Sequence, residues 1–264
     1  MSDDKQLEIS LPGEWALKKA FGPVLGELGE DMKKLYSVGR DKILLKAYNK
    51  IDDKDDGKKA NLRVARDVFW NGSFTDEEIC AEYFGGILAS SRSENGKDDN
   101  GIHYADVIKS LSSKQLELHY IIYNSLNKLF LGKEKEINVG QSTELHRESV
   151  WFSTLELAST LSLKIDTDLN VLYKQGLLHE YKTDQHRLEE NKSLPYIMVK
   201  PTTFGVLLYA IAHNSFGEWR RFSVKEFGDF KDIKLPKFYG ATLEDLLEVA
   251  RLKDNENSDD KKNE

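Results

Sequence analysis

One stretch, Phe74 to Leu131, constrains the fold of this chain more than any other: FTDEEICAEYFGGILASSRSENGKDDNGIHYADVIKSLSSKQLELHYIIYNSLNKLFL. It reads as three helices that carry most of the apolar mass, joined by one long polar loop. Thr75-Asp76-Glu77-Glu78 has the form of a capping box, in which the Thr75 hydroxyl accepts the third helical N–H and Glu78 reaches back to the N–H of Thr75. Behind it Ile79, Cys80, Tyr83, Phe84, Ile87 and Leu88 recur at helical spacing and form one apolar face. Gly85 and Gly86 sit inside that helix, where each costs about 1 kcal/mol against Ala. The expected reason is the close approach of a second helix. The loop SSRSENGKDDNG is polar and aperiodic, which predicts a solvated connection. A second capping box, Ser112-Ser113-Lys114-Gln115, opens the next helix, with Leu116, Tyr120, Tyr123, Leu126 and Phe130 on its buried side.

The remaining chain falls around this stretch. Residues 1–9 and 253–264 have the polar, charged composition of disordered tails. Ser10-Leu11-Pro12-Gly13 reads as a helix start, and Gly22-Pro23 breaks and restarts it. From Val24 to about Tyr48 one face is held by Leu25, Leu28, Met32, Leu35, Gly39, Ile43 and Ala47. Gly22, Gly26 and Gly29 in that segment point to a long amphipathic helix packed closely on another. The alternative is an interfacial membrane contact through residues 14–48. Residues 50–60 carry four basic and four acidic groups and read as a solvated linker. Asn61 to Trp70 is a short helix with Leu62, Ala65 and Phe69 inward, and Asn71-Gly72 a turn. The charged junction 132–141 is the expected boundary between a helical domain over 10–131 and a second domain over 141–252.

The second part changes pattern. Ser153-Thr154-Leu155-Glu156 forms a third capping box before a short helix. After a turn, Asp166 or Thr167 caps another helix with Leu169, Leu172 and Tyr173 inward and Gly176 as its stop. Two strand-like runs follow, Leu177 to Lys182 and Tyr196 to Lys200, separated by a long polar loop. Helix-turn-helix followed by a two-stranded ribbon is the winged-helix order. Pro201-Thr202-Thr203 then starts a helix with Phe204, Leu207, Leu208 and Ile211 on one side. Residues 216–240 read as irregular or strand, and Thr242 caps a last helix. The expected fold class is therefore mostly α: an N-terminal helical domain followed by a winged-helix-like α+β domain.

Composition narrows the function classes. The 264 residues carry a net charge of −7, which argues against wholesale nucleic-acid binding because phosphate neutralisation needs a basic footprint. The single cysteine, Cys80, lies on an apolar helix face. That fits a buried thiol in a reducing cytoplasm, since an apolar setting raises a thiol pKa rather than activating it. The acidic start MSDDKQLEIS is not a signal peptide, and no run reaches the ~18 apolar residues of a membrane span. A cytoplasmic protein is expected.

The candidate nucleic-acid contacts are Lys182, His186, Arg187 and Lys192 on the ribbon and Arg220 and Arg221 in Trp219-Arg220-Arg221-Phe222, with Lys225 beside them. Aromatic and basic residues so interleaved could stack on bases or hold phosphate. The plainer reading is an edge strand with its aromatics inward and its arginines in water. In a helix-turn-helix the second helix supplies the base contacts. Here it carries Asp166 and Asp168 against Lys174, and Asp184, Glu189 and Glu190 offset the ribbon cations. No histidine has the spacing of a helical zinc site, and with one cysteine no Cys/His metal set exists, so no metal or cofactor is expected. His119 lies in an apolar helix and reads as a satisfied core histidine. No phosphate-loop, dinucleotide, nucleophile-elbow or paired nuclease carboxylate pattern is recognisable. An enzyme would have to use whatever carboxylates the fold brings together.

The segments FGPVLGELGEDMKKLYSVGRDKIL, FTDEEICAEYFGGILASS with HYADVIKSLSSKQLELHYIIY, and LYKQGLLHEY with IMVKPTTFGVLLYAIAHN resemble the bacterial Abi-alpha (abortive infection alpha) family over roughly residues 14–213. The resemblance implies a cytoplasmic bacterial protein of defence against phage, with a helical half and a winged-helix half. It brings no catalytic residue and does not extend over residues 214–252. The expected function is non-enzymatic anti-phage defence, as sensor, adaptor or effector, through a protein partner or a homo-oligomer. The alternative is a winged-helix DNA-binding transcriptional regulator.

Overall fold

The computed structural model describes residues 37–73, 77–161, 165–189 and 192–249. The expected Thr75 cap, the helix ahead of residue 37 with most of the 14–48 segment, and both tails lie outside these residues. The chain divides into two units, through Asp106 and from Val107.

In the first unit α1 (Ser37–Asn49), α2 (Leu62–Gly72) and α3 (Glu78–Ser90) pack on one another. Gly85 has the expected reason: a Cβ there would stand 2.8 Å from the Lys46 Cβ and 2.9 Å from the Ala47 N, so only hydrogen lets α1 lie against α3. The α3 helix is not one-faced, however. Every residue from Ile79 to Ala89 is buried, including Cys80 and Glu82. Its neighbours cover the polar side by neutralising it. Lys42 and Lys46 reach Glu78 at 2.9 and 3.1 Å, and Lys46 reaches Glu82 at 2.8 Å, with Lys50 on its other oxygen. Lysines four apart thus face glutamates four apart. Asn61 caps α2 by accepting the N–H groups of Arg63 and Val64. That start point fixes the inward stripe as Val64, Ala65, Val68, Phe69 and Gly72, so Leu62, expected inside, is 40% exposed. The charged linker and the polar loop are also less free than expected. Two-residue strands β1 (Lys59–Ala60) and β2 (Arg92–Ser93) pair antiparallel, and Arg92 bonds Asp56 at 2.5 Å. Helix α4 (Gly101–Lys109) follows.

In the second unit α5 (Ser113–Leu131) opens with the expected capping box, Ser112 accepting from Gln115 and Gln115 from Ser112. The sequence groups α5 with the N-terminal helices, but its packing partners include α8 (Ile165–Lys174) and α9 (Thr203–Ala212). Between them come the one-turn α6 (Ser142–Leu145), strand β3 (Val150–Ser153) and helix α7 (Thr154–Leu161). Glu156 in α7 accepts the Lys237 amide at 2.6 Å. Helix α8 already runs from Ile165, ahead of the expected caps at Asp166 or Thr167. It ends as expected: Gly176 takes φ +71°, Leu177 N bonds Leu172 O at 2.9 Å and Gly176 N bonds Tyr173 O at 3.0 Å, with Leu172 and Leu177 buried together. Tyr173, expected inward, is 49% exposed and meets Tyr181 edge-on.

Strands β4 (Leu178–Glu189) and β5 (Lys192–Pro201) replace the expected long loop. They pair antiparallel from Leu178↔Pro201 to Glu189↔Lys192. Backbone pairing does not require apolar alternation, and Thr183 to Arg187 of β4 are polar at every position, so the period of two is missing from that part of the sequence. The four-stranded sheet has the order β4-β5-β3-β6, where β6 is Tyr239–Gly240. Trp219 to Arg221 lies in a 3-10 turn (Phe216–Arg221) rather than on an edge strand, yet Phe222 is buried and both arginines are exposed. Thr242 caps the last helix as expected, its hydroxyl accepting Asp245 N while Asp245 accepts Thr242 N. Among the described residues no helix is long and apolar enough to cross a membrane.

Candidate functional site

The ribbon displays the expected basic residues, and an acid engages Lys182 among them. In antiparallel strands, residues opposite each other share a face. Glu180, Lys182, Asp184 and His186 therefore share one face with Lys200, Met198, Tyr196 and Leu194, and β3 extends it with Trp151 opposite Met198. On that face Lys200 bonds Glu180 at 2.6 Å, and Lys182 bonds Asp184 at 2.7 Å and the Tyr196 hydroxyl at 3.3 Å. The Asp184 hydrogen bond, then that of Tyr196, raises the Lys182 pKa, and the Lys182 bond lowers that of Asp184. Each group is held in its charged form by its neighbour rather than offered to phosphate. Arg187 lies opposite Ser193, and Lys192 opposite Glu189, at the outer end of the ribbon.

The structure sets Arg220 and Arg221 apart from these residues, in the 3-10 turn. Arg221 bonds Glu218 at 3.2 Å, and Lys225 takes the other Glu218 oxygen. Arg220 is exposed and lies 4.4 Å over the Trp219 ring, against the turn at Gly140. In α8, Asp168 accepts from Gln115 of α5 at 2.9 Å, and Asp166 stands exposed in the first turn. The helix that would meet base edges thus presents a carboxylate.

A second constellation was not read from the sequence. Helix α5 grips residues 222–230 through polar groups on its buried face. Asn127 donates to Phe222 O at 2.6 Å and Lys225 O at 2.8 Å, and Tyr120 Oη accepts Phe230 N at 2.7 Å. Asn124 and Lys128 hold Asp229 at 2.8 and 2.9 Å. Phe230 stacks on Tyr120 and on His213, each at 4.4 Å. Burial pushes the Tyr209 phenol well up. At Asp229 burial pushes up, but the Lys128 and Asn124 bonds prevail and lower the pKa. The ionised Asp229 carboxylate, held by Asn124 and Lys128, fixes this segment on α5. The available signal was Asn124 and Asn127 on the apolar side of α5, where a buried amide requires a partner.

Two imidazoles meet at the base of the ribbon. The rings of His146 and His179 stack at 3.5 Å and 4°. Imidazole lone pairs lie in the ring plane, so parallel planes this far apart cannot converge on one ion. Among the described residues no group of three metal-ligating side chains is present.

These features define an α+β protein whose C-terminal unit carries a charge-paired ribbon and an aromatic clamp. Comparison of the chain with protein-family models, with curated proteins and with solved structures finds no match.

Proposed function

We propose that the chain is a non-enzymatic protein of anti-phage defence, acting as sensor, adaptor or effector through protein contacts. The resemblance to the Abi-alpha family supports the setting. The succession β3, α7, α8, β4, β5 with strand order β4-β5-β3 supports a winged-helix module. One observation carries the choice of protein over DNA: Lys182, Lys200, Arg221 and Lys225 are each engaged by an acid of the same unit. Neutralising phosphates would first require breaking those pairs. The second reading, a DNA-binding regulator, is favoured by the same module and by the exposed guanidinium of Arg220 over Trp219.

The test is plating efficiency of a diverse phage panel on bacteria with and without this gene. The proposal expects a drop of orders of magnitude for some phages, with escape mutants in phage protein genes. Equal plating across the panel overturns it.

A further inference from the structure

The segment that leads into β3 is tied down by bonds of two kinds. Ile137, Val139 and Leu145 are buried. The Thr203 hydroxyl donates to Val139 O at 2.8 Å and the Ser223 hydroxyl to Ile137 O at 2.9 Å. These neutral bonds do not respond to pH. A further tie is the His146–His179 stack. His146 ends α6, its N–H bonded to Ser142 O at 2.8 Å. His179 is where the β4–β5 register shifts between Leu178 and Glu180, so it has no partner in the β5 register and its ring is turned onto His146.

The charged groups around the pair are Glu180 beside His179 on β4, and Lys200 on β5, bonded to Glu180 at 2.6 Å. The own segment of His146 carries Glu144, Arg147 and Glu148, the last paired with Lys133. Burial first, then His179 and Lys200, push the His146 imidazole below its ordinary range.

We propose that the His146–His179 stack is a proton-sensitive latch that ties the segment before β3 to the base of the β4–β5 ribbon. With both rings neutral they lie flat on each other. A proton on His146 places a cation against the second ring with Lys200 behind it. Acidification therefore releases the His146 end of the segment, residues 142–148, from β4, while Ile137 and Val139 stay held by Ser223 and Thr203. With an ordinary imidazole pKa of ~6.5 in the open form, uptake of one proton raises the opening constant roughly tenfold between pH 7.5 and 5.5.

Amide hydrogen exchange of the full chain at the two pH values, corrected for intrinsic rates, tests this. The latch expects exchange of residues 142–148 to rise about tenfold at pH 5.5, ahead of α5 and of residues 137–141. In His146→Phe, which keeps a flat ring without a proton site, exchange should stay low at both pH values. His179→Phe provides the same readout should the first variant fail to fold. The proposal is overturned by a pH-independent wild type, by the same rise in the Phe variant, or by a rise shared equally with α5, which would assign the effect to His119.

Discussion

His119 shows how one buried residue makes stability depend on pH. It is fully buried in α5, 4.6 Å from the Tyr123 ring and hydrogen-bonded to the Gly205 backbone. Burial pushes its imidazole down to about 3, against the upward pull of that bond. The folded chain keeps it neutral while the unfolded chain takes up a proton below about 6.5, so the unfolded state binds more protons and stability falls as pH falls. Between pH 7 and pH 5 the loss is about 2 kcal/mol. Urea unfolding of wild type and His119→Gln at both pH values checks this: the variant should lose less, and equal losses would remove His119 as the source. Glu82 is a second buried residue on which stability rests. Lys46 and Lys50 converge on it, and burial lowers the Lys50 pKa more than Glu82 raises it. Glu82→Ala takes their carboxylate from two lysine side chains only 14% and 12% exposed and should cost about 3–5 kcal/mol, the range for a broken buried pair. Denaturant melts check the size, and an effect under about 0.5 kcal/mol would make the pairs ornamental.

At the scale of elements, helix ends and helix contacts follow from neighbours in sequence. Gly176 stops α8 at φ +71° with nothing within 4 Å of where a Cβ would stand. Gly176→Ala should therefore cost about 1–2 kcal/mol from backbone conformation alone, and Gly176→Asn less. Thermal melts of the two variants decide it, and an Ala variant as stable as wild type would contradict the left-handed stop. Gly205 is a different case. A Cβ there would lie 1.9 Å from the Tyr123 hydroxyl, which itself donates to Leu177 O at 2.5 Å and accepts Thr202 N at 3.0 Å. That hydroxyl joins the end of α8 to the start of α9, so the tight α5–α9 contact and the course of the chain around it share one oxygen.

For the molecule as a whole, the proposed protein-contact reading rests on charge. The net charge is −7, and two ribbon cations, Lys182 and Lys200, are paired with acids. Titration with duplex DNA in low and moderate salt should show no submicromolar, salt-steep binding. Such binding, lost in Arg187→Ala or Lys182→Ala, would overturn the protein-contact reading in favour of the regulator.

What the sequence by itself determined is what neighbours within a few residues decide. The Ser112 box, the Gly176 stop, the buried Cys80, the glycine contact at Gly85 and the order of helices and ribbon all rest on helical periodicity, capping and backbone freedom. Tertiary structure alone decided the length of β4 and β5, the β1–β2 pairing, the exposure of Leu62 and Tyr173, the pairing of Lys182 and Arg221 with acids and the α5 clamp on residues 222–230. The physical reason is range. A helix closes its hydrogen bonds within four residues, so its pattern is written locally. A strand's partner, a lysine's counter-ion and a buried amide's acceptor lie tens of residues away, and only the folded chain brings them within bonding distance.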